Sequence, residues 1–401
     1  MLPDIKPVMK NFYKNTCCLF LLLCTWTILM AQTESYKTLS QDLQSLQKQF
    51  VPDTRVAILK IELKDTLQPI VVISGETDLS DAKLQIIRWL SDKKVSFIDS
   101  IRLLPDSSLG AKTWALATLS VSNIRALPDH TAELVSQALM GTPMKVLDFN
   151  NGWYRVQTPE HYIGWMDTAG LQRVTQKELD GWKISNRYLF NCMSGFAYDS
   201  PGKKGEVITD LILDDLFEVE AKVRGLLKIK IPDGRIAYIR KKDCISWKDW
   251  SNQQPNAKAV LTVPRKMMGT PYMWGGTSVR ATDCSGFVKQ AYYSQGIILA
   301  RDASQQARYG ESIDFNNKNN LQPGDLLFFG CSAQRITHVG IYLGKGNFIH
   351  SSGRVHISSI VPGDPKYNAN RKNVAASRIL NSLNTEGIVR VKNHPWYNLQ
   401  P

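Results

Sequence analysis

The residues from His338 to Ser352 constrain the fold most tightly. His338-Val339-Gly340-Ile341-Tyr342-Leu343 alternates, Phe348-Ile349-His350-Ser351-Ser352 follows, and Gly344-Lys345-Gly346 lies between them. This pattern predicts an antiparallel hairpin. Take those three residues as the loop, where glycine suits the left-handed position. Leu343 then opposes Asn347, Tyr342 opposes Phe348, Gly340 opposes His350 and His338 opposes Ser352. His338 and His350 become diagonal neighbours on one face, roughly 7–8 Å apart at their α-carbons and within reach of a ring-to-ring hydrogen bond. A two-residue loop would put them on opposite faces, because a slip of one residue turns a strand over. In this register Val339, Ile341, Leu343 and Ile349 line the other, core face, so the apolar pattern and the shared histidine face agree. Gly340 leaves room beside His350.

A second constraint lies upstream. The loop Gly269-Thr270-Pro271-Tyr272, Trp274-Gly275-Gly276 runs into Asp283-Cys284-Ser285-Gly286-Phe287. Phe287, Val288, Ala291 and Tyr292 then fall on one helical face. Cys284 stands at the helix start, where N–H groups and the positive dipole end favour thiolate over thiol. The three residues make a working set. Cys284 attacks a carbonyl, His338 takes the thiol proton and returns it to the leaving amine, and His350 bonds the far ring nitrogen of His338 to hold its tautomer. The Cys284 N–H supplies part of an oxyanion hole. A lone cysteine or histidine reads more simply as packing; three together at one helix start and one hairpin face do not.

Pro271-Tyr272-x-Trp274-Gly275-Gly276, Asp283-Cys284-Ser285-Gly286-Phe287, Leu321-x-Pro323-Gly324-Asp325-Leu326, Thr337-His338-Val339-Gly340-Ile341-Tyr342 and Phe348-Ile349-His350-Ser351 together resemble the NlpC family. These are papain-like cysteine peptidases that cleave cell-wall peptides. The resemblance covers about Lys258 to Ile379. It implies an α+β catalytic domain over residues 256–385, a helix followed by an antiparallel sheet. It also implies Cys284 as nucleophile, His338 as base, His350 as orienting residue and Tyr272 beside the nucleophile, with Trp274 and Ser285 in the substrate site. No metal and no cofactor is implied.

The rest of the chain reads in modules. Lys6, Lys10 and Lys14 precede an apolar run from Cys17 to Ala31, the pattern of a signal peptide over residues 1–31, with Met9 as an alternative start. Export to the periplasm or cell surface follows, with no membrane span left in the mature chain. Residues 34–112 read as an α/β unit: a helix near Leu39–Phe50, strands at Val56–Ile61 and Ile70–Ile73, a helix through Leu84–Leu90 and a strand from Val95. From 113 to 178 the texture is short strands between glycine, asparagine and proline turns, which argues for a small barrel. Ala132–Leu139 reads there as helical. Gly152-Trp153-Tyr154-Arg155-Val156 and Tyr162-Ile163-Gly164-Trp165-Met166 resemble a bacterial SH3 domain, with both tryptophans in its core. Residues 182–250, with strands at Leu211–Val219, Gly225–Ile231 and Arg235–Arg240, resemble a second. A helix over Val260–Met268 leads into the catalytic domain.

The pairing with SH3-like domains resembles the γ-D-glutamyl-L-diamino acid endopeptidases, whose substrates are peptidoglycan stem peptides or murein fragments. That group grips the free N-terminal L-Ala of its substrate. The resemblance places Asp302, in Arg301-Asp302-Ala303-Ser304, on the substrate amine, and Glu133 and Tyr162 as a cap from the first SH3-like domain. Ala303 stands where some relatives carry serine. A carboxylate on an ammonium makes a charge-assisted hydrogen bond that selects free N-termini. An amidase or acyltransferase on the same scaffold, and a non-catalytic wall-binding protein, are the other readings. The net charge of +13 comes from scattered residues, with no nucleic-acid motif. Of seven cysteines, Cys192, Cys244, Cys284 and Cys331 lie beyond the signal-like segment, and none is spaced for metal. Cys192 and Cys244 either pair or stay as separate buried thiols.

Overall fold

The computed structural model describes residues 36–64, 70–201 and 205–399. The signal-like segment through Ala31 lies outside them. Two compact units meet in sequence at Leu104 and Pro105. In the first, Leu59–Lys64 alternates buried and exposed side chains. Leu59, Ile61 and Leu63 pack with Ile73, Ile86 and Leu90, and a helix over residues 36–50 adds Leu43. Ile70–Thr77 pairs antiparallel with that strand and parallel with Ser96–Leu103, the helix Ser80–Asp92 making the crossover.

The second unit begins with two seven-stranded antiparallel sheets of short strands. The first runs from Trp114–Ala117 to Leu171–Val174 and the second from Arg187–Phe190 to Cys244–Ser246. Counting strands by their place within each sheet, both have the order 7-1-4-5-6-2-3. The second sheet is therefore a topological copy of the first. Trp153 and Trp165 are buried. Cys192 and Cys244 are half-buried free thiols packed against the second core.

Three expectations change here. Residues Leu134–Leu139 form a strand, not a helix, paired with Val121–Arg125. Both faces of that strand are covered: Ala138 enters the barrel core, while Leu139 joins the core around Phe287, Val288 and Ile341. Two-sided burial gives a run of apolar and small residues without the period of two that marks a half-exposed strand. The run Leu211–Val219 is broken into Val207–Ile212 and Leu216–Val223. Asp214 turns the chain with φ +73°, and the Asp215 carboxylate accepts from the Ile212 N–H at 2.8 Å. The single helix expected over Val260–Met268 is two short ones, Ala257–Val260 and Thr262–Lys266.

The last part of the chain is built on a six-stranded antiparallel sheet with the helix Cys284–Tyr293 packed on one face. Phe287, Val288, Ala291 and Tyr292 of that helix are fully buried against Val339, Ile341 and Ile349. The hairpin Arg335–Gly344, Asn347–Ser352 pairs Tyr342 with Phe348 and Ile341 with Ile349, as the alternation requires. Its loop differs. Gly344, not Leu343, opposes Asn347, with a bulge after Tyr342 and a tight turn at Lys345 and Gly346. Both turn residues have positive φ, 52° and 77°, the geometry that matches strand twist in a two-residue turn. The bulge absorbs the residue removed from the loop, so the faces stay as expected.

Candidate active site

Asp283 decides how the helix Cys284–Tyr293 begins. It is the N-cap, its Oδ1 accepting from the Gly286 N–H at 2.7 Å, and Cys284 is the first helical residue. Its Oδ2 accepts from the Gly275 N–H at 3.0 Å, which ties the preceding loop to the helix start. Gly286 lets the loop lie close: a Cβ there would meet the Gly276 carbonyl oxygen at 2.0 Å. Arg301 completes the arrangement, donating to Asp283 Oδ2 at 2.5 Å and Oδ1 at 3.2 Å and to Ser285 Oγ at 2.9 Å. The Ser285 hydroxyl in turn donates to Asp283 Oδ1 at 3.2 Å. All three residues are buried. Helical bonding starts with the Phe287 N–H on the Asp283 carbonyl, so the Cys284 N–H precedes it and is one of the orphan donors of a helix start.

The histidine pair forms as the register predicted. His338 Nε2 and His350 Nδ1 are 2.8 Å apart, and His350 Nε2 sits 2.9 Å from Ser358 Oγ. His350 is almost wholly buried, so this chain of contacts holds its ring in place. A Cβ on Gly340 would meet His350 Cβ at 3.0 Å and Phe348 Cδ2 at 2.7 Å, which accounts for the glycine. The backbone N–H of Val339, next to His338, acts on the Cys284 thiol. The helix start and the histidine strand therefore meet at one place.

The protonation states differ from the helix-dipole expectation. Burial pushes the Cys284 thiol up to about 11, the Asp283 carboxylate adds to this, and the N–H groups of Val339 and Ser285 with the Arg301 charge only partly oppose it. Burial, then the charges of Arg371 and His356, lower His338 to about 3. His350 falls to about 2, again first through burial. Tyr272 is raised to about 12, by burial and by Cys284 beside it. At neutral pH the resting site thus holds a thiol and a neutral imidazole, not a preformed ion pair. Peptide-resolved alkylation of Cys284 by iodoacetamide is therefore expected to accelerate about tenfold per pH unit from roughly pH 7 to 9. A plateau reached below neutral pH would show a stable thiolate and contradict this.

The other expected residues meet across the junction with the first SH3-like sheet. The Tyr162 hydroxyl donates to Asp302 Oδ2 at 3.3 Å. Asp302 is the N-cap of the short helix Ala303–Gln306 and keeps a partly exposed side chain. Trp274 Nε1 donates to Glu133 Oε1 at 2.6 Å, with the indole 63% exposed. Ser285 is committed to the Arg301–Asp283 network. The strand Leu134–Leu139 lies on the active-site loop: Gln137 accepts from the Thr277 N–H at 2.9 Å, and a Cβ on Gly275 would meet the Leu134 carbonyl at 2.2 Å. Further along the helix Cys284–Tyr293, Lys289 pairs with Glu160, in the turn between Trp153–Gln157 and Ile163–Asp167, and Gln290 donates to Asp214, in the turn after Val207–Ile212. Sequence reading missed the role of Arg301, although it stands beside Asp302. It also missed Ser358 and Arg371, which lie in no motif. Among the described residues no cluster suited to a metal ion is present.

Residues 269–373 match the model of the NlpC/P60 family, and residues 124–171 match that of the bacterial dipeptidyl-peptidase Sh3 domain. A gamma-D-glutamyl-L-lysine dipeptidyl-peptidase of Bacillus cereus is 32% identical over 283 residues, 66% of this chain and 81% of that protein. The chain belongs to the NlpC/P60 family of cysteine peptidases. A second gamma-D-glutamyl-L-lysine dipeptidyl-peptidase, from Bacillus subtilis, is 28% identical over 230 residues, 54% of this chain and 71% of that one. The crystal structure of an NlpC/P60 family protein from Bacillus cereus matches this peptidase with a TM-score of 0.57 at 25% identity, covering 66% of this chain and 99% of that one. The family and the α+β class drawn from the motifs are thereby borne out.

Proposed function

We propose that this NlpC/P60 peptidase hydrolyses the bond between γ-D-Glu and a diamino acid in peptidoglycan stem peptides that carry a free N-terminal L-Ala. The observation that carries this reading is the pairing of Tyr162 with Asp302 across the domain junction, beside the Cys284 helix. An ammonium placed there meets a partly exposed carboxylate held by a hydroxyl, and the SH3-like sheet limits how far a substrate extends past it. The names of the two Bacillus relatives support the bond specified. The signal-like N-terminus supports action outside the cytoplasm. Among the described residues no helix is long and apolar enough to cross a membrane.

In this mechanism the Cys284 sulfur attacks the γ-carbonyl carbon as His338 takes its proton. The imidazolium hands that proton to the leaving amine, and the C–N bond breaks. Water, deprotonated by His338, then cleaves the thioester to regenerate the thiol. His350, fixed by Ser358, orients the His338 ring. Tyr272 and Trp274 line the loop side, and Glu133 holds the indole.

Asp302→Asn tests amine recognition. On L-Ala-γ-D-Glu-L-Lys, kcat/KM is expected to fall ~100-fold, from loss of a charge-assisted hydrogen bond in a water-poor site. On the N-acetylated peptide, the variant and wild type are expected to be equally poor. Equal losses on both peptides would contradict the assignment.

A further inference from the structure

Arg371 belongs neither to the nucleophile helix nor to the histidine hairpin; it comes just before the strand Asn373–Arg378. Its Nη1 donates to both ring nitrogens that face each other in the histidine pair: His338 Nε2, and His350 Nδ1 at 2.9 Å. Its Nη2 donates to Ser352 Oγ at 3.0 Å. The guanidinium therefore fills the notch where the two imidazoles meet.

That position conflicts with catalysis. A guanidinium carries donors only. His338 Nε2 must present its lone pair to Arg371, which leaves the proton of the neutral ring on Nδ1. With Nε2 accepting from Arg371 and only facing His350 Nδ1, Nδ1 is the nitrogen left for a thiol, and a protonated Nδ1 accepts nothing. If the proton moves to Nε2 instead, two donors face the single lone pair of His350 Nδ1, and the guanidinium is displaced. The seated arginine and the working tautomer exclude each other.

A second observation points to what displaces it. Arg371 is half-buried, and among the described residues no carboxylate pairs with its guanidinium. A partly desolvated cation without a counter-charge is a cost that an anionic ligand removes. His338 gives its proton to the leaving amine, so the residue bearing that amine lies on the histidine side of the thiol, where Arg371 is. In the substrate proposed above, that residue is the diamino acid, which ends in a free α-carboxylate when it is C-terminal.

We infer that Arg371 is a substrate-responsive latch: it sits in the His338–His350 notch of the free enzyme and turns to the α-carboxylate of the leaving diamino acid. The inference rests on the proposed stem-peptide substrate. When the guanidinium leaves, the His338 ring exchanges its Nδ1 proton for one on Nε2 through solvent, with no net change in protonation. Nε2–H then donates to His350 Nδ1, and Nδ1 takes the thiol proton. Arg371 is in this sense a positioning and specificity residue.

The test compares L-Ala-γ-D-Glu-L-Lys with its C-terminal amide, using wild type, Arg371→Met and Arg371→Lys. Wild type is expected to favour the free acid by ~30-fold in kcat/KM, the scale of one charged hydrogen-bonded contact. Arg371→Met is expected to cleave both peptides at similar rates and to cleave the amide faster than wild type does. Arg371→Lys, which keeps the charge but not the fork, is expected to retain part of the preference. Equal wild-type efficiency on both peptides overturns the latch alone, and that ratio stands whether or not a variant folds. Equal slowing of both peptides by Arg371→Met in a folded protein shows a merely structural arginine and also overturns it. Cleavage of neither peptide by wild type overturns the substrate reading and the latch with it.

Discussion

Cys284→Ala is expected to lower kcat/KM on a γ-D-glutamyl tripeptide ~10⁴-fold or more, the scale seen when the nucleophile of a coupled catalytic set is removed. The size follows from the site. The described residues hold three other thiols: Cys192 and Cys244, packed against the core of the second seven-stranded sheet, and Cys331, exposed at the end of a strand. None stands at the helix start beside Val339. Stability should change little, because the side chain lost is small, though it belongs to the buried core. A cost of ~1 kcal/mol and a shift of a few degrees in Tm are expected. Steady-state kinetics and a thermal melt on the same preparation check both halves. Residual activity above about one per cent of wild type would contradict the nucleophile assignment.

Arg301→Met is expected to be the most damaging substitution for stability in the catalytic domain. Arg301 is 1% exposed and grips Asp283, itself almost wholly buried. Replacing the arginine leaves a buried carboxylate without its counter-charge, at a cost of ~3–5 kcal/mol. The damage does not stay local. Asp283 caps the helix Cys284–Tyr293 through Gly286 and holds the loop through Gly275, so its displacement moves Cys284 as well. Chemical unfolding gives the number, and Asp283→Asn combined with Arg301→Met is expected to recover part of the loss by removing both charges. A cost below ~1 kcal/mol for the single variant would show that water or local rearrangement satisfies Asp283.

How much of this was legible in the residues depends on what each residue's environment encodes. The His338–His350 pair was readable because strand parity is a strict rule: once Tyr342 faces Phe348, both histidines share a face whatever the turn does. The bulge changed the turn and left that parity intact. The helix Cys284–Tyr293 was readable from the turn formers before it and from its apolar stripe. The strand Leu134–Leu139 was misread because burial on both faces erases the alternation that identifies a strand. The protonation state of Cys284 was misjudged for a related reason. A helix start is visible in sequence, but the depth at which it is buried is not, and here burial outweighs the dipole. Arg371 carried no local signal at all. Its role depends on a fold that brings it to two histidines 33 and 21 residues away.

In the proposed enzyme a thiol and a histidine pair cleave one particular bond while a carboxylate reads the free end of the substrate. Incubating L-Ala-γ-D-Glu-L-Lys with the enzyme and weighing the products by mass spectrometry tests it most directly. The expected products are the dipeptide L-Ala-γ-D-Glu and free lysine, with neither formed by Cys284→Ala. An intact peptide, or release of free alanine instead, would contradict it.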